Sequence, residues 1–181
     1  MTTAAPSPAP QRPQARPAGA PGVRTARPAD AVELAALSRP FVRSGALRER
    51  PASLYAAQAA DFVVAEDLNG TLEGCLGLRV HPESVHPHGP SGVLYNFCVA
   101  RHRQGCGAGA RLLRAALARA RAQSLGALFT ATTGDGRLFL RHGFAPTSAR
   151  QAPASWVESL DPRRNARLLA RALTPTVPAV R

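Results

Sequence analysis

Lysine is absent from all 181 residues, so every one of the 23 basic side chains is arginine. Acids are scarce as well: 11 Asp and Glu leave a formal net charge of +12. Two readings of that excess stand side by side. Arg, Ala, Pro and Gly are all abundant, the bias of a very GC-rich coding sequence, so part of the charge is compositional. A basic surface also attracts anions such as coenzyme A, carboxylates or nucleic acid. Aromatic residues make up only 5% of the chain, which disfavours a nucleic-acid platform built on base stacking. The three cysteines, Cys75, Cys98 and Cys106, are an odd number with no CxxC spacing. They argue against a disulfide framework and a zinc knuckle, and for a reduced, cytoplasmic protein. No apolar run approaches the roughly 20 residues that cross a bilayer. The N-terminus lacks the compact apolar segment of a secretory signal, so no membrane partner is expected.

What is present is enough for one domain, with 45% hydrophobic residues to build its core. Residues 1–21 are rich in Pro, Ala and Arg with almost nothing to bury, and are expected to be a disordered tail. The domain is expected over 22–174, followed by a flexible tail over 175–181. A short strand is expected at Val23–Ala26. A helix starts at Pro28-Ala29-Asp30, turns Val32, Leu34, Ala35 and Leu37 inward and is interrupted by Pro40. A second helix covers Ala52–Ala59, with Leu54 and Tyr55 inward. Phe62–Ala65 reads as a buried strand, Asn69-Gly70 as a turn and Leu72–Val80 as the hairpin partner. The His81–Gly92 segment, with its prolines, reads as a loop. A strand at Val93–Val99, a helix at Gly107–Gln123, a strand at Leu128–Ala131, a short helix at Leu138–His142 and a closing strand at Arg167–Leu173 follow. The expected class is α/β, with a mixed, mostly antiparallel sheet flanked by helices. Glu83 and the histidines of the 81–88 segment lack a second ligand cluster, so no metal is expected.

One run carries the chemistry: Val99-Ala100-Arg101-His102-Arg103-Gln104-Gly105-Cys106-Gly107-Ala108-Gly109-Ala110. A buried strand ends there, and glycines open a helix. Gly107 and Gly109 allow close approach of the backbone to a ligand. The free N–H groups and dipole of the first helical turn suit a pyrophosphate. Leu112, Leu113, Ala116, Leu117 and Ala120 form one apolar stripe of that helix, and Arg111, Arg114 and Arg121 lie on another face. A dinucleotide-binding fold fits less well, because no acidic residue follows at about 20 residues.

Gln104-Gly105-Cys106-Gly107-Ala108-Gly109 resembles the (Q/R)-x-x-G-x-(G/A) signature of the GNAT acetyltransferase superfamily. Leu138-Phe139-Leu140-Arg141-His142-Gly143-Phe144 resembles a second landmark of that superfamily. The resemblance implies acetyl-CoA as co-substrate, held by Phe97, Cys98, Val99, Phe139 and Gln104 through Ala110, with Gly105, Cys106, Gly107, Ala108 and Gly109 in the turn. It also implies that the strand before the turn splays from its neighbour. A backbone N–H near Phe97 or Cys98 would then polarise the acetyl carbonyl.

Within the superfamily the chain resembles the acetyltransferase domain of N-acetylglutamate synthases, especially the short bacterial form without an amino-acid-kinase domain. Gly45-Ala46-Leu47-Arg48-Glu49-Arg50, Gly74-Cys75-Leu76-Gly77-Leu78, Arg141-His142-Gly143-Phe144 and Arg163-Arg164-Asn165-Ala166-Arg167-Leu168-Leu169 carry that likeness. Phe139 stands where many GNAT enzymes have a tyrosine acid. The resemblance implies a small amino acid as acceptor, glutamate or glutamine, with Arg50 and Arg164 on its carboxylates and Asn96 on the substrate side. Val93 stands where relatives carry a glutamate, and Ala166 where they carry serine. The reaction is expected to be direct attack of the amine on the thioester, with no acyl-enzyme on Cys98 or Cys106. Tyr95, Glu66 and ordered water are the candidates for the base. A homodimer is compatible with this reading. Another amine or a protein N-terminus as acceptor, or a non-catalytic binder of acetyl-CoA or polyanions, remain the alternatives.

Overall fold

The computed structural model describes residues 22–86 and 89–173. The two expected tails lie outside the described residues. The chain enters through β1 (Val23–Thr25), and a 3-10 turn at Pro28–Asp30 leads into α1 (Ala31–Arg43). The buried face of α1 is Ala31, Leu34 and Ser38. Val32 is 74% exposed rather than inward, because two residues from Leu34 is the opposite side of a 3.6-residue turn. Pro40 does not interrupt α1, which runs on to Arg43. A proline in the last turn removes only one ladder bond, and the helix ends just beyond it, with Gly45 at φ +74.

α2 (Ala52–Ala57) buries Tyr55, and a 3-10 turn at Ala59–Asp61 delivers the chain to β2 (Phe62–Glu66). The tip of the following hairpin is built as its sequence implies. Asp67 Oδ1 accepts from the Asn69 and Thr71 amides at 2.9 Å each, and Gly70 takes φ +80. β3 (Leu72–His86) and β4 (Gly89–Val99) then form one long antiparallel pair. The segment expected to be a loop, His81–Gly92, is therefore largely strand. Pro82 is tolerated because the β2 ladder on β3 ends at Gly77, short of the proline that lacks an N–H to offer it.

α3 (Ala108–Ala122) carries the parallel crossover from β4 to β5 (Ala127–Thr132). α4 (Arg137–Arg141) follows. Two elements come without a sequence expectation: β6 (Ala145–Pro146) and α5 (Ala154–Glu158). β7 (Arg167–Ala172) closes the sheet, whose order is β1-β2-β3-β4-β5-β7-β6. Alternation along the strands sends successive side chains to opposite faces. Val63, Leu76, Leu94 and Leu128 pack under the α3 stripe of Leu112, Leu113, Ala116, Leu117 and Ala120. On the other face Phe62, Val64, Cys75 and Cys98 meet Leu34 and Tyr55, and Val93 and Phe129 meet Trp156 of α5. No helix among the described residues is long and apolar enough to cross a membrane.

Candidate active site

β4 holds β5 only part of the way. The parallel register runs from Ser91↔Ala127 to Leu94↔Thr130 and stops there, while β5 continues alongside β7 to Thr132↔Arg167. Beyond Leu94 the strands part, as the resemblance implied. At the same level β4 bulges. Its partners on β3 pass from Gly77↔Tyr95 to Cys75↔Cys98, so Asn96 and Phe97 together face Leu76. Asn96 takes φ +49, a left-handed conformation rare for a non-glycine residue.

A buried polar cluster holds that conformation. Asn96 Nδ2 donates to Ser38 Oγ at 3.2 Å, and the Tyr55 hydroxyl shares its one proton between Ser38 Oγ at 2.9 Å and Asn96 Oδ1 at 3.2 Å. Burial pushes the Tyr55 phenol above its ordinary value, so it remains a donor. Cys75 and Cys98 close the cluster with their sulfurs 3.5 Å apart, and the contact with Cys98 together with burial keeps the Cys75 thiol protonated. The Asn96 side chain is thus spent inside the protein.

Two cavities meet at this bulge, with Phe41 and Phe97 in the walls of both. The smaller, about 370 Å³, lies at the start of α3. Phe97, Cys98, Val99, Gln104, Gly105, Gly107, Gly109 and Ala110 of the expected cofactor set line it, while Ala108 is buried and Cys106 is exposed. Gly105 and Gly107 take φ +82 and +81 with open space where a Cβ would stand. Gly109 has a different reason: its Cβ would lie 3.2 Å from Leu138 and 3.3 Å from Phe97. Gln104 Nε2 ties the turn to the Val99 carbonyl at 3.1 Å. Beneath the turn, the buried Glu73 carboxylate bonds Arg103 and, at 3.2 Å, Arg111. Phe139 packs edge-on against Phe97 with ring centres 5.6 Å apart.

The larger cavity, about 640 Å³, lies over β4 and β5 between the α1–α2 connection and the α5–β7 segment. Arg50, Tyr95, Asn96 and Arg164 are among the residues that line it, and Phe139 reaches it too. Glu66, a candidate base, does not; it pairs with Arg24. Arg164 Nη2 donates to the Gly45 and Ala46 carbonyls at 2.7 and 2.6 Å, which ties the two walls together. Arg50 stacks over the Tyr95 ring at 4.8 Å. Burial first, then the Asp61 acceptor, push the Tyr95 phenol well above its ordinary value, against the pull of Arg79 and Arg50.

Sequence reasoning missed several residues here. Arg48 donates to the Ser159 carbonyl at 2.7 Å, Arg79 lies 5.0 Å from the Tyr95 ring centre, and Asp61 accepts from the Tyr95 hydroxyl at 2.8 Å. Arg79 carried a signal, since it continues the alternation of the predicted hairpin strand. Asp61 carried none, being one acid ahead of an apolar run.

The fold and this paired site define an acyl-transfer scaffold, and the comparisons agree. The family model "Acetyltransferase (GNAT) family" matches residues 31–144, and the chain belongs to that family. An amino-acid acetyltransferase of Ralstonia nicotianae is 36% identical over 118 residues, 65% of this chain and 25% of that protein. The N-acetylglutamate synthase of Neisseria gonorrhoeae, solved with coenzyme A and N-acetyl-glutamate, superposes with a TM-score of 0.76 at 28% identity. That match covers 84% of this chain and 35% of the synthase. A Mycobacterium tuberculosis protein, Rv2747, shares the fold at a TM-score of 0.70 and 23% identity, over 85% of this chain and all of its own. This chain therefore spans about a quarter of the Ralstonia relative and about a third of the Neisseria synthase.

Proposed function

We propose that this protein transfers the acetyl group of acetyl-CoA to the α-amine of a small amino acid such as L-glutamate or L-glutamine, a reaction of the kind that opens arginine biosynthesis in the cytoplasm. The observation that carries the reading is the meeting of the two cavities where β4 leaves β5. One cavity offers the N–H groups of a helix start, suited to a pyrophosphate. The other offers arginines, Arg50 and Arg164 among them, suited to carboxylates.

On this reading acetyl-CoA lies with its phosphates on Gln104–Ala110 and its pantetheine arm along Phe97–Val99. The backbone near Phe97 and Cys98 is free of β5, and an N–H there polarises the thioester carbonyl. The amine attacks from the larger cavity, beside Tyr95 and the Asn96 bulge. Cys98 faces the polar cluster with Ser38 and Cys75, and Cys106 lies exposed on the turn, so neither is set up as an acyl carrier. Holding both reactants in register supplies several kcal/mol of the barrier reduction.

The test is thiol release from acetyl-CoA with a panel of amines: glutamate, glutamine, other amino acids, their carboxamide derivatives and polyamines. Release with glutamate or glutamine, lost when the α-carboxylate is amidated, supports the reading. Tight acetyl-CoA binding without turnover on any amino acid sinks the proposed acceptor.

A further inference from the structure

The larger cavity needs a group to receive the proton that the attacking nitrogen sheds. Position 93, on the cavity face of β4, is valine. Asp161 lines the same cavity, but its carboxylate caps the Arg163 amide at 3.0 Å and pairs with the Arg163 guanidinium at 3.5 Å. A further carboxylate is connected to the cavity through a side chain. Two residues along β4, on the same strand face as Val93, the Tyr95 phenol lines the cavity and donates to Asp61 Oδ2 at 2.8 Å. Asp61 stands behind it, on the 3-10 turn ahead of β2, with its side chain 31% exposed.

The surroundings of Tyr95 fix its behaviour. Arg79 from β3 comes within 3.5 Å of the phenol oxygen and of Asp61 Oδ2, and Arg50 from the α1–α2 connection stacks on the ring. Phe62 packs on its edge with ring centres 5.3 Å apart, and a Cβ at Gly77 would collide with the ring at 2.7 Å, so the ring lies flat over bare backbone. With two guanidinium charges on the ring, an ammonium beside the hydroxyl is disfavoured and a neutral amine with a carboxylate is favoured.

We propose that Asp61, acting through the Tyr95 hydroxyl, takes up the proton that the acceptor amine releases during acetyl transfer. The inference rests on the acetyltransferase reading above. As the nitrogen lone pair forms the new N–C bond, the C–S bond breaks and its electron pair leaves on the coenzyme A sulfur. The nitrogen becomes strongly acidic and passes its proton to the Tyr95 oxygen, while the Tyr95 proton passes to Asp61. Tyr95 ends neutral, as it began. Asp61 then returns its proton to solvent or to the departing thiolate. Asp61 is a positioning residue here, and Tyr95 is the group that meets the amine.

The experiment uses the full chain and the acceptor found most active in the amine panel. Asp61→Asn, Tyr95→Phe and the double variant are assayed for kcat and KM across pH, with acetyl-CoA affinity measured by calorimetry. Each single variant is expected to lose kcat by about 10²-fold or more near neutral pH, with acetyl-CoA affinity unchanged. The double variant is expected to be no worse than either single one, because the two act as a unit. The deficit is expected to shrink as pH rises and hydroxide takes over proton removal, and Asp61→Glu to recover part of the rate. Parent turnover with Asp61→Asn within about threefold of it at every pH overturns the relay and leaves the proposed function standing. So does a loss that is independent of pH and accompanied by weaker acetyl-CoA binding, which marks a structural role. No parent turnover on any amine overturns the functional reading and the relay with it.

Discussion

At the start of α3 the groups turned toward a ligand are backbone. Gly105 and Gly107 hold left-handed conformations with nothing near their missing side chains, and the helix supplies its unpaired amides. Across the β4 bulge the cavity is walled by side chains instead. Arg48 and Arg50 come from the α1–α2 connection, Arg79 from β3, Tyr95 from β4 and Arg164 from the turn before β7. A backbone site is a local property of one stretch of chain. A side-chain site depends on the whole fold to bring distant positions together. The first suits a co-substrate common to a family, and the second lets members differ in what they acetylate.

The sharpest way to break that contrast is to remove a buried side chain that supports the backbone site. The Glu73 carboxylate is 3% exposed and bonds Arg103 and Arg111 beneath the turn. Glu73→Ala leaves two guanidinium groups without their partner, but these stay partly solvated, so the expected cost is about 3 kcal/mol of stability, the upper end for hydrogen bonds to a charged group, read as a lowered denaturation midpoint. Acetyl-CoA stabilises the folded state by mass action, so part of the loss should return when it is added in excess. A variant as stable as the parent would show that the turn holds itself.

The next effect belongs to the larger cavity. Arg164 joins its two walls through the Gly45 and Ala46 carbonyls and is the carboxylate partner on the proposed reading. Arg164→Ala is expected to raise KM for the amino acid by roughly 10- to 100-fold, the worth of about 1.5–3 kcal/mol for a charge-assisted hydrogen bond. Acetyl-CoA affinity should stay put. Equal losses for both substrates would mean that the two cavities are one energetic unit.

The same contrast explains what could be read from the sequence. The glycine turn, the α3 stripe and the Phe139–Phe144 run are local patterns, and the structure puts each where the pattern implies. The strand–helix order was also legible, because periodicity of 2 or 3.6 is written in neighbouring residues. Pro82 misled, since proline excludes a central ladder but not a stretch beyond the end of its neighbour's pairing, and where that pairing ends is not a local fact. Asn96 lines the larger cavity, but the bonds of its amide to Ser38 and Tyr55 could not be read from neighbouring residues. Its left-handed backbone belongs to the bulge of β4 opposite Leu76, a partner 20 residues upstream. α5 escaped notice because five residues with one tryptophan carry too little periodicity to register.

Gly107→Val probes the turn directly. A β-branched residue at φ +81 is strained by about 1–2 kcal/mol. Because the surrounding space is open, the cost falls on the backbone conformation rather than on packing. Acetyl-CoA affinity is expected to fall about tenfold in titration calorimetry, with KM for the amino acid unchanged. An unchanged affinity would show that the turn amides do not contribute to binding.

The smallest expected effect is the most pointed test of the contrast. Cys106 sits between the two left-handed glycines, is exposed, and belongs to the turn without lining its cavity. If the turn acts through its amides, this side chain is interchangeable, and Cys106→Ser should shift stability by no more than about 0.5 kcal/mol and leave turnover as it was. The same variant separates direct attack from covalent catalysis. An acyl group carried on Cys106 would need its thiolate, and rapid-quench kinetics on the parent would show a burst of free coenzyme A before the acceptor is acetylated. Direct attack predicts no burst, and equal rates for parent and variant. Loss of turnover in Cys106→Ser with acetyl-CoA still bound would place side-chain chemistry on the turn, and the division between a backbone site and a side-chain site would fall.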